Sequence, residues 1–217
     1  MLFALPCIAQ RVPVNSPDKK LLVEFLINEE GKAYYTISYN GTAVLQTSRL
    51  GMVREDADFS SGLSLMPSPG MQMVKDNYTS VNAKKSRISY TANKRIIRLQ
   101  NSAGKKINII FQVSNDGVAL RYEFPESAAA VKIITEELTT YHFDKGTRAW
   151  LQPMSVAKSG WQQSNPSYEE HYEQDIPVGT PSKAGWVYPA LFKTGDTWLL
   201  ISENFTGQQF LWYKTDQ

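Results

Sequence analysis

The 217-residue sequence has almost no cysteine, since Cys7 is the only one. If the apolar N-terminal residues are removed as a leader, the rest of the chain contains no thiol, which excludes disulfide bonds and cysteine-based metal sites. Histidine is nearly as rare, with only His142 and His171. Two histidines leave little material for a histidine-rich metal site or a Ser-His-Asp triad, so we interpret each as a surface or packing residue.

An excess of charge of either sign is also lacking. The sequence has 23 Lys and Arg residues against 21 Asp and Glu residues, for a formal net charge of +2. So small a charge gives little field for holding a polyanion, and nucleic acid is not an expected partner. Short basic clusters such as Lys84-Lys85-Ser86-Arg87 lie beside strand-like patterns and are interpreted as solvated faces.

The sequence lacks a membrane span, because no apolar run reaches the about 20 residues that a transmembrane helix needs. Residues 1–9 are apolar and polar sequence follows at once. This pattern predicts the remnant of a secretory signal peptide cleaved before Gln10, although the basic segment that usually precedes such a run is missing. We therefore expect a periplasmic or secreted bacterial protein, with one domain over residues 10–217.

The common catalytic signatures are absent as well. The sequence contains no glycine-rich phosphate loop, no nucleophile elbow and no His-Glu-x-x-His motif. We assign no catalytic residue to this chain.

What the sequence does have is alternation of apolar and polar residues at period two, from beginning to end, with no convincing helical periodicity. Asn40-Gly41 and Asn115-Asp116-Gly117 supply the residues of tight hairpin turns between alternating segments. The sequence predicts an all-β fold, a large antiparallel β-sandwich. The alternating apolar positions include Leu21, Val23, Phe25, Ile27, Tyr35, Ile37, Ile107, Ile109, Phe111 and Val113.

The pattern changes between Trp150 and Pro189, where alternation fades and aromatic residues and prolines accumulate. We predict a long connection without regular structure, which is usually functional or faces a partner. Its aromatic residues either pack on the sheet, the commoner case, or stack on sugar rings. Its carboxylates either form a solvated acidic loop, which is favoured, or hold a hard cation such as Ca²⁺. These carboxylates belong to Glu169, Glu170, Glu173 and Asp175.

Several segments together resemble the N-terminal domain of glycoside hydrolase family 97. The most specific is the run from Asn115-Asp116-Gly117 to Arg121-Tyr122-Glu123-Phe124-Pro125. The supporting segments are Ser16-Pro17-Asp18-Lys19-Lys20-Leu21, Gly31 to Tyr34, Ser48-Arg49-Leu50-Gly51, Trp150-Leu151-Gln152-Pro153 and Tyr168-Glu169-Glu170-His171-Tyr172. The similarity covers essentially the whole chain after the predicted leader.

The resemblance implies a three-part enzyme: a super-β-sandwich like that of galactose mutarotases, a (β/α)8 barrel and a small C-terminal β domain. Members hydrolyse α-glucosidic or α-galactosidic bonds with Ca²⁺ in the active site, and their acid and base lie on the barrel. The resemblance gives Glu169 as the one calcium ligand from this domain. With Trp161, Tyr168 and Tyr172 as substrate contacts, we expect a non-catalytic half of an oligosaccharide-binding site, inactive alone.

The sequence also departs from the family. Ser202-Glu203-Asn204 stands where the family often has His-Glu-Ala, and the family's domain normally continues past the position of Gln217, so we expect the sandwich to lack its last strands. One alternative is a free-standing carbohydrate-binding or adhesin-like module with Trp161, Tyr168 and Trp186 as stacking platforms. A mutarotase-like enzyme is the third and least favoured.

Overall fold

The computed structural model of the protein describes residues 11–81, 85–127, 131–154 and 171–203. The predicted leader, residues 1–9, lies outside these ranges. None of the described residues forms a helix, so none of them belongs to a helix that could cross a membrane. The chain divides into two compact units, residues 1–142 and 143–217.

Sixteen strands account for the regular structure of the described residues, and every pair of neighbouring strands is antiparallel. The prediction of an antiparallel all-β fold is therefore confirmed. The strands are β1 (Arg11–Asn15), β2 (Leu21–Ile27), β3 (Ala33–Tyr39), β4 (Thr42–Leu50), β5 (Met52–Arg54), β6 (Ala57–Asp58), β7 (Ser64–Leu65), β8 (Gln72–Thr79), β9 (Arg87–Gln100), β10 (Lys106–Ser114), β11 (Val118–Glu123), β12 (Ile134–Glu137), β13 (Arg148–Pro153), β14 (Glu173–Pro177), β15 (Trp186–Thr194) and β16 (Thr197–Ile201).

The described residues of the first unit form three sheets. One has the order β1-β2-β3-β4, the second has the order β11-β10-β9-β7 with β8 also paired to β9, and the third is β12-β5-β6. The alternating apolar residues supply its core, since a strand presents successive side chains to opposite faces. Buried members of the core include Val23, Phe25, Tyr35, Ile97, Leu99, Ile107, Ile109, Phe111 and Val113.

Turn residues fix where the strands reverse. Asn40 and Gly41 both have positive φ, 49° and 79°, which is the geometry of the tight hairpin turn predicted between β3 and β4. Gly31 has φ 70°, and a Cβ at this position would lie 2.4 Å from the backbone nitrogen of Leu63. The two segments approach closely because they are hydrogen-bonded, with the Leu63 N–H donating to the Gly31 carbonyl at 3.0 Å. Only glycine fits both the backbone angle and the contact.

Segments that carry the family resemblance contact one another. The Asp18 N–H donates to Asn115 Oδ1 at 3.0 Å, which joins the segment after β1 to the turn between β10 and β11. The Gly51 N–H donates to the Tyr122 hydroxyl at 3.1 Å, and that hydroxyl also lies 2.8 Å from Thr139 Oγ1. Burial raises the pKa of Tyr122 above its ordinary value. These motif residues therefore hold strands and turns together.

Arg54 is the largest fully buried side chain of the first unit, with an exposed fraction of 2%. Its Nε donates to Asp56 Oδ1 at 2.5 Å and its Nη2 pairs with Glu126, while the guanidinium carbon lies 4.6 Å from the ring centroid of Phe124. Lys132 Nζ donates to Asp56 Oδ2 at 2.6 Å. These contacts tie β5 to the connection between β11 and β12 through one buried cation and its carboxylates.

In the second unit, residues 143–154 and 171–203 contain a four-stranded sheet with the order β14-β13-β15-β16. Its buried residues include Phe143, Ala149, Leu151, Trp186, Ala190 and Phe192. The rings of Phe143 and Phe192 are stacked, with centroids 4.3 Å apart. The prediction of an irregular connection from Trp150 to Pro189 is wrong for the described part of that range. β13 continues to Pro153, Glu173–Pro177 forms β14, and β15 begins at Trp186.

Replacing the buried cation should destabilise the chain. We expect Arg54→Ala to lower the free energy of unfolding by about 3 kcal/mol, because Asp56 and Glu126 lose their shared partner and Phe124 loses its contact. Arg11→Ala is the control, since Arg11 is 63% exposed and 3.6 Å from Glu24. It should change stability by no more than about 0.5 kcal/mol. Urea unfolding measures both, and equal effects would contradict the role of Arg54.

The same cluster should make stability depend on pH. The pKa of Asp56 is lowered from 3.8 to about 2. The largest cause is the hydrogen bond from Lys132, and the next is the hydrogen bond from Arg54. A lowered pKa in the folded chain contributes stability that is present above the ordinary value and is lost as the pH falls through the folded value. Asp56→Asn removes that contribution. The thermal unfolding midpoint of the wild type should therefore be higher than that of the variant at neutral pH. The difference between the two midpoints should shrink as the pH falls from about 4 to about 2.

Candidate functional site

The predicted site residues cluster in sequence around the connection between β13 and β14. Trp161, Tyr168 and Glu169 lie outside the described residues, and so does Glu170. The described residues on either side of this connection are neighbours, because Leu151 of β13 pairs with Glu173 of β14. The connection therefore leaves from and returns to the same end of two adjacent strands.

Tyr172 is the predicted substrate contact that the structure describes. It lies just before β14, with an exposed fraction of 38%, and its hydroxyl donates to the Pro189 carbonyl at 3.4 Å. Pro189 follows a cis peptide bond in β15. At 38% exposure, about a third of the Tyr172 side chain is accessible to solvent, and its role as a substrate contact stays a prediction.

The described carboxylates near Tyr172 do not form a cluster. Asp175 is held by Arg148, whose Nε donates to Asp175 Oδ1 at 3.0 Å, and whose Nη2 donates to the Asp175 carbonyl. Glu173 and His171 are exposed. Across the described ranges, no three His, Cys, Asp or Glu side chains approach closely enough to hold a metal ion. Ca²⁺ prefers about six to eight oxygen ligands, so the described residues do not by themselves fit a calcium site.

Trp186 was expected in the alternative hypothesis to be a stacking platform, and the structure contradicts this. Its exposed fraction is 6%, and its Nε1 donates to the Thr180 carbonyl at 3.0 Å. A buried indole with its N–H satisfied is part of the core and presents no face to a ligand. The hydrogen bond instead fixes the segment that connects β14 to β15.

Two other tryptophans form an aromatic pair that the sequence analysis did not single out as a site. Trp150 of β13 and Trp198 of β16 have ring centroids 4.7 Å apart, with an interplanar angle of 46°. Trp198 is 51% exposed. No local pattern in the sequence marks Trp198, because its strand reads Thr-Trp-Leu-Leu-Ile, and its exposure alternates with that of Thr197 and Leu199 only in the structure.

Comparison with known proteins gives one family. A family model described as "Glycosyl-hydrolase 97 N-terminal" matches residues 14–211. A probable retaining alpha-galactosidase of Streptomyces bingchenggensis (strain BCW-1) is 28% identical over 168 residues, which are 77% of this chain and 24% of that protein.

Solved structures agree in fold. A beta-arabinopyranosidase is 36% identical with a TM-score of 0.84, over 91% of this chain and 32% of that one. A family 97 glycoside hydrolase from Pseudoalteromonas sp. strain K8, in complex with panose, is 22% identical with a TM-score of 0.70, over 85% of this chain and 27% of that one. These similarities confirm the predicted β-sandwich. The chain spans about a quarter to a third of the length of these proteins.

Substitutions of Trp186 and of Tyr172 should change the free energy of unfolding by different amounts, because Trp186 is buried and Tyr172 is exposed. Trp186→Ala should lower the free energy of unfolding by about 3–5 kcal/mol, because it opens a cavity and leaves the Thr180 carbonyl without its donor. Tyr172→Phe keeps the ring and removes only a hydroxyl with a 3.4 Å contact. It should change stability by less than about 0.5 kcal/mol. Urea denaturation followed by circular dichroism tests both, and a mild Trp186→Ala phenotype would contradict its packing role.

Proposed function

The chain belongs to the glycosyl-hydrolase 97 N-terminal family, the N-terminal domain of family 97 glycoside hydrolases, and we propose that it supplies the non-catalytic half of such an enzyme's active site. In this proposal it packs on a (β/α)8 barrel, contributes Glu169 as a calcium ligand, and lines the substrate pocket with Trp161, Tyr168 and Tyr172. The apolar leader-like residues 1–9 support export to the periplasm or beyond.

The chemistry of the described carboxylates supports a non-catalytic role. A glycosidase needs one carboxyl group that stays protonated as the acid and a second about 5–9.5 Å away as nucleophile or base. Asp56 and Glu126 are brought together by Arg54, but the lowered pKa of Asp56, about 2, keeps that carboxylate charged. A catalytic acid requires a raised pKa. This pair is an ion-pair anchor in the first unit, and the acid and base of the proposed enzyme belong to the barrel.

The calcium proposal rests on the motif match at Glu169 and on its place in the chain. Glu169 precedes Tyr172 by three residues, and Tyr172 leads directly into β14 beside β13. Asp175 is already paired with Arg148, so it is a poor additional ligand. One carboxylate provides a small part of the about six to eight oxygens that Ca²⁺ takes. The remaining ligands would come from the barrel and from water, and the isolated chain should bind Ca²⁺ only weakly.

For the substrate we propose a galactose-configured pyranoside. Two relatives above 25% identity are named as a probable retaining alpha-galactosidase and a beta-arabinopyranosidase. L-arabinopyranose has the ring hydroxyl arrangement of D-galactopyranose and lacks only the hydroxymethyl group, so one pocket can accept both. The panose-bound enzyme is 22% identical, which supports the shared fold and carries less weight for the substrate.

The proposal is tested first by activity in two forms of the protein. The 217-residue chain alone should show no turnover of aryl α-galactosides or aryl α-glucosides. The same chain joined to the proposed (β/α)8 barrel should hydrolyse the α-galactoside faster than the α-glucoside. Turnover by the chain alone, lost when one of its own carboxylates is mutated, would overturn the half-site proposal.

Glu169 is tested in the joined protein. Glu169→Gln keeps the size of the side chain and removes its charge, so calcium affinity and kcat should fall together, each by at least about tenfold. The matched control is Glu170→Gln, which changes the adjacent carboxylate and should stay within about twofold of wild type. Isothermal titration with Ca²⁺ after chelation, alongside initial rates, gives both quantities. Full activity of Glu169→Gln with loss in Glu170→Gln would show that the motif match is displaced by one residue.

A further inference from the structure

The outward side of β16 carries a half-exposed tryptophan with a second tryptophan behind it. Trp198 is 51% exposed, although its ring lies 4.7 Å from that of Trp150. Trp150 is on β13, which is separated from β16 by β15. The two rings therefore meet across the intervening strand at an angle of 46°, and the contact with Trp150 leaves about half of the Trp198 surface in water.

The strand register places polar donors in line with this ring. Lys193 of β15 pairs with Arg148 on one side and with Trp198 on the other. Residues directly opposite each other in a sheet project to the same face, so these three side chains form a row across three strands. Lys193 Nζ lies over the Trp198 ring, 5.4 Å from its centroid. The ammonium group therefore already contacts the indole, and a ligand stacked on the exposed part of the ring would lie beside it.

The patch is too small to be a protein interface by itself. A whole tryptophan side chain offers about 150–250 Å². The exposed parts of Trp198 and of Leu200, which is 66% exposed on the same strand, therefore amount to a few hundred Å². A stable protein interface needs about 800 Å² per partner. One indole face matches instead the size of a single sugar ring.

We propose that Trp198, supported by Trp150 and flanked by Lys193, is a binding platform for a pyranose ring of a neutral oligosaccharide. The indole face is negative and the axial C–H groups of a pyranose are weakly positive, so the two faces attract each other. The Lys193 ammonium would donate to a ring hydroxyl. This site extends beyond the proposed active-site role, because it needs neither calcium nor Glu169. One stacked ring with one donor should bind with a Kd of about 1–10 mM.

The test uses the 217-residue chain with two trisaccharides, panose and galactose-containing raffinose, as probes. Saturation-transfer NMR from the protein to the sugar should give a signal for at least one of them, and Trp198→Ala should weaken binding at least about tenfold. Trp198→Tyr, which keeps a smaller aromatic face, should retain part of the affinity. Urea midpoints of all variants show that they are folded.

Leu200→Ala is the matched control, because it removes exposed apolar surface from the same strand without removing a ring. It should leave sugar binding within about twofold of wild type, and so should Glu169→Gln and addition of a chelator. The proposal is overturned if neither trisaccharide gives a signal at about 50 mM, or if Trp198→Ala binds as wild type does. It is also overturned if size-exclusion chromatography shows a dimer that both Trp198→Ala and Leu200→Ala dissociate while the sugar signal is unchanged, since the patch would then be a protein contact. Failure of the calcium or activity tests leaves these expectations unaltered.

Discussion

The antiparallel pairing of β9 with β10, from Lys106 opposite Gln100 to Ser114 opposite Ala92, is the constraint on which the first unit depends. β10 is buried along nearly all of its length, and β11, β7 and β8 pair with one or other member of this ladder. Because successive side chains of a strand lie on opposite faces, a slip of one residue would exchange Ile107, Ile109 and Phe111 with Asn108, Ile110 and Gln112 between the two faces of the sheet.

The residues that carry the family resemblance have structural roles in this chain. Asn115 accepts from the Asp18 backbone, and Tyr122 accepts from the Gly51 backbone. Each pair joins two segments that are distant in sequence and are each part of the resemblance. The contact between Tyr122 and Gly51 is partly buried, and a buried polar group that loses its partner costs stability, so this pair has a structural role. The family match over residues 14–211 includes both of these contacts.

The second unit combines packing and surface roles on one sheet. Ala149 and Phe192 are buried on one face of the sheet, and Trp150 and Trp198 lie at the alternate positions, on the other face. The connection that carries Glu169 leaves from the β13–β14 edge, and Trp198 lies on β16 at the opposite edge. The proposed calcium ligand and the proposed sugar platform are therefore carried by different strands of the same sheet, and a mutation at one can be made without altering the other.

The sequence by itself determined the all-β class, the hairpin at Asn40-Gly41 and the core faces of β2 and β10, because period-two alternation and positive-φ turn residues act over a few neighbouring positions. It failed between Trp150 and Pro189, where the register shifts in β13, between Ala149 and Leu151 and between Trp150 and Gln152, interrupt the alternation. Only the tertiary structure decided that Trp186 is buried and Trp198 half exposed. Both are tryptophans in strands, and their difference depends on which residues of other strands cover each ring, which no local pattern contains.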